Sequence, residues 1–138
     1  MMVLVDTPVW SLALRRRPDV LNTEEQRLAD ALTELVREGR AQLIGPVRQE
    51  LLSGIREEKQ FEKLRDYLRA FEDPRLESSD YEEAAQMHNE CRRHGITGSP
   101  TDFLICAAAA RRRWEIFTTD RDFALYDHSL PVSLYVLT

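Results

Sequence analysis

No stretch of this chain reaches the roughly 18 consecutive apolar residues that a membrane-spanning helix needs, so a membrane span is not expected. Cysteine is scarce. Cys91 and Cys106 are the two present, both in helical patterns, so no disulfide framework is implied and a reducing, cytoplasmic setting is expected. Five glycines and six prolines in 138 residues are too few for a disordered or low-complexity chain. The N-terminus enters a strand-like run directly instead of opening as a signal peptide. Excess positive charge is missing too. The formal net charge is −5, which argues against a chain that is basic all over its surface, as many nucleic-acid binders are. Finally, no Ser, Cys or Lys is paired with a base as a ready nucleophile, and no lysine follows Lys63.

The residues that are present describe an ordinary globular chain. With 43% apolar residues, a chain of this length can bury a core of its own, and residues 1–138 read as a single domain. Basic residues occur in clusters: Arg15-Arg16-Arg17, Arg92-Arg93 and Arg111-Arg112-Arg113. Each cluster suits either a solvated helix end, where cations complement the dipole, or a phosphate contact.

Met2 to Val5 reads as a short buried strand, followed by a helix from Thr7-Pro8 to about Arg16. Thr23-Glu24-Glu25-Gln26 has the form of a capping box, with Leu28, Leu32, Leu35 and Val36 at helical spacing behind it and Gly39 as the stop. Gln42 to Ile44 is a second strand, and Gly45-Pro46 opens a helix ending near Gly54. Glu57 to Phe71 is amphipathic and is broken by Asp73-Pro74. Arg75 to Glu77 is expected as a short third strand. Ser79-Asp80-Tyr81-Glu82 offers a second capping box, for a helix closed by Gly95. An alanine-rich helix from Thr101 to about Arg112 follows. Then come a fourth strand at Glu115 to Thr118, a helical turn at Arg121 to Leu125 and a last strand at Val132 to Val136. Short apolar strands separated by helices predict a parallel sheet covered on both faces, and right-handed crossovers make it a three-layer α/β/α sandwich.

Four acids gain meaning from that topology. Asp6 ends the first strand, and Asp120 follows the fourth. Glu50 lies about one turn into the helix leaving the second strand. Asp102 opens a helix that runs antiparallel to the fourth strand. All four are therefore expected at the carboxyl edge of the sheet, where sites in such folds form. Each has a structural role open to it. Asp6 can cap the first helix, Asp120 can cap the turn at Arg121-Asp122, and Asp102 can complement a helix dipole behind Ser99 and Pro100. Glu50 is harder to place, since it sits on the edge of the Val47/Leu51/Ile55 stripe beside Gly54. Four carboxylates at one edge repel one another unless a cation joins them. Oxygen donors suit Mg²⁺ or Mn²⁺, which activate water and polarise phosphoryl groups. His88, Cys91 and His94 recur every three residues on one helix but have no evident fourth partner, so structural zinc is not expected.

Four segments resemble the PIN-domain ribonucleases of the VapC toxin type. They are Val3-Leu4-Val5-Asp6-Thr7 with Trp10, Gln49-Glu50-Leu51-Leu52-Ser53-Gly54, Thr101 to Ala108, and Thr118-Thr119-Asp120-Arg121-Asp122-Phe123. The resemblance spans the chain. It implies a PIN-like parallel sheet and a Mg²⁺- or Mn²⁺-dependent nuclease that cuts RNA to a 3′-hydroxyl and a 5′-phosphate. It makes Asp6, Glu50 and Asp102 the core acids and Asp120 the fourth, with Asp122 as its rival. Asp6, Asp102 and Asp120 would hold metal, and Glu50 would either bind metal or orient water. Thr118 resembles a hydroxyl residue near the metal, while Thr7 would assist through its hydroxyl or cap its helix. The resemblance also implies a homodimer restrained by a small antitoxin, whose tail often places a basic side chain in the acidic pocket. Phe61, Leu64 and Phe71 would line the antitoxin groove, or else pack as core.

Two other function classes fit parts of the pattern. A phosphoryl-transfer domain also places an Asp after the first strand. However, Pro8 stands where one such type needs a second Asp, and the other needs a late lysine. A non-catalytic module of the same fold would bind RNA or a partner without cleaving it.

Overall fold

A computed structural model describes residues 1–137. Its strands are β1 (Val3–Val5), β2 (Ala41–Gln42), β3 (Glu115–Phe117) and β4 (Ser133–Leu134). They form one sheet in the order β2-β1-β3-β4, and each pairing is parallel. Val3 pairs with Ala41 on one side and with Glu115 on the other. All three β1 residues are fully buried, which requires cover on both faces of the sheet. The helices α1 (Thr7–Leu14), α2 (Thr23–Arg37), α3 (Gly45–Leu52), α4 (Glu58–Leu68), α5 (Ser78–Arg93), α6 (Pro100–Arg112) and α7 (Asp122–Ser129) supply it. The result is a three-layer α/β/α sandwich.

The chain leaves β1 toward β2 on one side and leaves β3 toward β4 on the other. The carboxyl ends of β1 and β3 therefore flank the topological switch point, where open parallel sheets leave a crevice. Trp10, fully buried on α1, donates its indole N–H to the Val5 carbonyl at 3.0 Å and ties the helix back onto the strand it leaves. The edge-to-face contact of Trp10 with Phe71, 5.2 Å between centroids, extends that anchor to the turn after α4.

Several sequence expectations shift. Arg75 to Glu77 forms no strand and instead leads from α4 into α5, so the sheet has four strands and Asp120 follows the third. The second strand pairs at Ala41–Gln42, one residue earlier than expected, while Leu43 and Ile44 are buried beyond the pairing. The turn after Asp120 is a full helix to Ser129. A short 3₁₀ turn at Pro18–Val20 was not anticipated.

Both capping boxes begin earlier than the sequence pattern suggested. Asn22, not Thr23, caps α2, with its side chain on the Glu25 amide (2.8 Å) and the Glu25 carboxylate returning to the Asn22 amide (3.0 Å). Asn is the better N-cap, and both registers were available in the sequence. Glu77 caps α5, and its box partner is Asp80. Asp80 is fully buried because α6 brings two cations to it: Arg111 at 2.5 Å and Arg112 at 2.7 Å. This clamp closes the α5–α6 hairpin. Arg112 also stacks over Trp114, 5.8 Å from the ring centroid. Two of the three arginines of that cluster thus act inside the fold.

Candidate active site

Asp6 is the residue around which the edge is built. It is the first residue beyond β1, and its backbone amide extends the sheet pairing by donating to the Phe117 carbonyl (2.9 Å). Its carboxylate then turns to cap α1, accepting from the Thr7 amide at 2.8 Å. The other carboxylate oxygen accepts from the Thr118 hydroxyl, also at 2.8 Å. The capping role and the edge position therefore belong to the same residue. Only 6% of Asp6 is exposed, and burial pushes its carboxyl up to about 6. The bonds from Thr118 and Thr7 oppose that shift, while the negative charges of Asp102 and Glu50 add to it. Those last two effects show that the three acids share one electrostatic neighbourhood.

The remaining acids each rest on a hydroxyl or an amide. Glu50, exposed on α3, accepts from the Thr7 hydroxyl at 2.7 Å, so Thr7 joins two acids by its amide and its side chain. Asp102 lies in the first turn of α6 behind Pro100, with Ser99 as the cap bonded to its amide (3.1 Å). Its carboxylate accepts from the Tyr126 hydroxyl at 2.7 Å. Asp120 is half-buried, donates its amide to the Thr118 hydroxyl oxygen (3.0 Å) and accepts from the Asp122 amide (2.9 Å). Asp122 itself is exposed on the first turn of α7. Thr118 thus bridges Asp6 and Asp120, and of the two acids Asp120 is the one it touches.

Tyr126 was not singled out from the sequence. The residue is fully buried, and its phenol is pushed far above its ordinary range, first by burial and then by the Asp102 carboxylate. It is a permanent O–H donor. A tyrosine at that spacing looks like any core aromatic on α7, so only the long-range contact identifies it.

Among the described residues, no three carboxylate, imidazole or thiol groups stand close enough to grip one ion together. The donor chemistry nevertheless fits a hard divalent cation: carboxylate and hydroxyl oxygens, with a buried carboxyl that would be relieved by positive charge. His88, Cys91 and His94 do not converge as ligands. His88 stacks on Phe103, Cys91 is buried, and His94 is exposed beside the Glu90 carbonyl. Neither cysteine is in a disulfide.

The apolar residues of α4 and of the turn after it divide. Leu64 is buried, Phe71 packs on Trp10 and Tyr67, and Phe61 is half-buried. Tyr67 is the exposed member of this face. It helps line a groove of about 680 Å³ with Arg15, Arg16, Arg17, Arg56 and Lys63. Within that groove Arg16 pairs with Glu25 and Arg17 with Asp19, while Arg15, Arg56 and Lys63 enter no ion pair among the described residues.

Acids placed at the switch point of a parallel sheet define the class: an α/β domain whose site forms at the carboxyl ends of its strands. The PIN domain model matches residues 3–129, and the chain belongs to that family. No curated protein matches it by sequence. Solved structures share the fold. The FitAcB structure from Neisseria gonorrhoeae has a TM-score of 0.76 at 23% identity, covering 98% of this chain and 97% of that one. VapBC2 from Rickettsia felis, bound to a DNA fragment from their promoter, gives 0.74 at 16% identity and 98% of both chains. A toxin–antitoxin complex from Klebsiella pneumoniae gives 0.65 at 20% identity, with 88% and 90% covered. No helix of the described residues is long and apolar enough to cross a membrane.

Proposed function

We propose that this chain is a single-domain, metal-dependent endoribonuclease of the toxin class, held in check by a cognate antitoxin. The observation that carries the reading is Asp6, a buried carboxyl at the carboxyl end of β1 whose acidity is depressed by burial and by the neighbouring charges of Asp102 and Glu50. Membership of the PIN family supports nuclease chemistry, and similar folds occur in toxin–antitoxin complexes.

Asp6, Asp102 and Asp120 are the residues that would hold Mg²⁺ or Mn²⁺. Bound there, the cation would supply water activation and neutralise charge developing on the phosphoryl oxygens. The side chains do the rest. Thr118 orients the Asp6 carboxylate and braces the Asp120 backbone. Glu50, exposed and steadied by Thr7, takes the proton of the attacking water. Water adds to phosphorus as the bond to the 3′-oxygen breaks, and that oxygen takes a proton from solvent, leaving a 3′-hydroxyl and a 5′-phosphate. Arg15, Arg56 and Lys63 in the groove hold flanking phosphates. That groove shares α1 with the site: Thr7, bonded to Glu50, is its first residue, while Ala13 and Leu14 near its end line the groove together with Gln60, Lys63, Leu64 and Tyr67 of α4. The antitoxin contacts α4 through half-buried Phe61 and exposed Tyr67, over a floor of Leu64 and Phe71. A homodimer and a reducing cytoplasm, suited to two buried free cysteines, complete the proposal.

The test is incubation of the purified chain with RNA and Mn²⁺, alongside EDTA and Asp6→Asn controls. Cleavage that needs both the ion and the carboxylate is expected. Cleavage persisting in EDTA or in Asp6→Asn would overturn the mechanism. RNA binding without cleavage would favour a non-catalytic module.

A further inference from the structure

Ser99 fixes the backbone of Asp102 by capping α6, but a cap does not decide where the carboxylate points. One of its oxygens accepts from the Tyr126 hydroxyl at 2.7 Å, across 24 residues of sequence. Tyr126 is on α7 and fully buried. Its ring lies between Phe103 (centroids 5.0 Å apart) and Phe123 (5.1 Å), a setting that phenylalanine would fill as well. The hydroxyl therefore has no packing purpose, and Asp102 is its hydrogen-bond partner. A second feature serves the same contact. A Cβ added at Gly98 would lie 2.3 Å from the Tyr126 hydroxyl oxygen, 2.9 Å from its Cζ and 3.0 Å from Phe103. Gly98 is not among the glycines with positive φ, so the backbone there does not demand glycine. The space does.

We propose that Tyr126 is a positioning residue that fixes the Asp102 carboxylate for a divalent cation, with Gly98 keeping clear the space its hydroxyl occupies. The proposal rests on the reading of Asp102 as a metal acid. A hydrogen bond to one carboxylate oxygen stops the group from rotating and leaves the other oxygen free to ligate. Such outer partners typically change metal affinity about 10- to 100-fold when removed. Phenylalanine keeps the ring and removes only the donor. Alanine at Gly98 keeps the donor and displaces it.

The experiment measures Mn²⁺ affinity without RNA, by electron paramagnetic resonance of the free ion. It compares the wild type, Asp102→Asn, Tyr126→Phe, Gly98→Ala and the double variant Tyr126→Phe/Gly98→Ala. Thermal unfolding in EDTA checks that each is folded. Asp102→Asn should show the largest loss. Tyr126→Phe and Gly98→Ala should each weaken binding by about 10-fold. The double variant should be little worse than the weaker single, because both act through one hydroxyl. In cleavage assays Tyr126→Phe should need more Mn²⁺ yet approach the wild-type rate at saturation. Wild-type affinity in Asp102→Asn would remove the metal reading of Asp102 itself. A loss in Asp102→Asn with Tyr126→Phe unchanged within twofold would instead overturn the positioning role alone. Losses that multiply in the double variant would separate Gly98 from Tyr126 and refute their coupling.

Discussion

At the scale of single residues, Asp6 governs the pH behaviour of the metal-free chain between about pH 4 and 6. Its folded-state value of about 6 lies above its ordinary 3.8, so between those limits the folded chain holds a proton that the unfolded chain has released. Stability from this group is full below about pH 4 and is lost as pH rises through 6. A shift of this size corresponds to about 3 kcal/mol at neutral pH. Urea denaturation in EDTA should therefore find Asp6→Asn more stable than wild type by ~2–3 kcal/mol at pH 7.5, converging with it near pH 4. Equal stability at pH 7.5 would contradict the buried-acid reading. The Thr118 hydroxyl lowers the Asp6 value, so Thr118→Val should move the wild-type stability loss to higher pH in the same titration.

Elements are held by contacts between them as much as by their own sequences. Asp80 is the clearest case, since one buried carboxylate serves the capping box of α5 and two arginines at the end of α6. The Arg112 hydrogen bond, the largest influence, holds its carboxyl well below the usual range. Its contribution is thus present above about pH 4 and lost as pH falls, opposite in sign to Asp6. Asp80→Asn should destabilise by ~3 kcal/mol in urea at pH 7, because the arginines lose their buried partner. A cost under 1 kcal/mol would mean that the hairpin does not depend on the clamp. At the same end of α6, Arg113 adopts φ 60° and ψ 41°, a left-handed cap that favours glycine. Arg113→Gly should raise stability by roughly 0.5–1 kcal/mol, seen as a higher melting temperature. The capping registers show why elements were only partly legible. In α2 two adjacent box patterns overlapped, and the stronger cap prevailed. In α5 the winning register buries Asp80, and the reason lies some 30 residues away in α6.

For the whole molecule, charge distribution matters more than the net value of −5. The arginine runs looked alike in sequence, but tertiary contacts divide them. Arg111 and Arg112 close a hairpin, Arg93 pairs with Glu90, and the groove at the end of α1 keeps Arg15, Arg56 and Lys63 without an ion-pair partner among the described residues. RNA affinity measured in EDTA at several salt concentrations should show it. Arg56→Ala/Lys63→Ala should reduce the salt slope by about 1.4, two single-strand phosphate contacts. An unchanged slope would place the RNA elsewhere.

Local information was enough for the alternation of short apolar strands with helices, since strand burial and helical periodicity are written in neighbouring residues. From these followed the parallel sheet and the placing of Asp6, Glu50, Asp102 and Asp120 toward one edge. The false strand at Arg75–Glu77 shows the limit: three residues carry no evidence of whether a partner strand waits beside them. What folding alone decided were the choices that depend on distant atoms. It drew Thr118 between Asp6 and Asp120, set Thr7 on Glu50, and gave Asp102 to a buried tyrosine that a glycine makes room for. Hydrogen bonds of that kind act over about 3 Å in space, whatever the separation along the chain, and no spacing rule in one sequence encodes them.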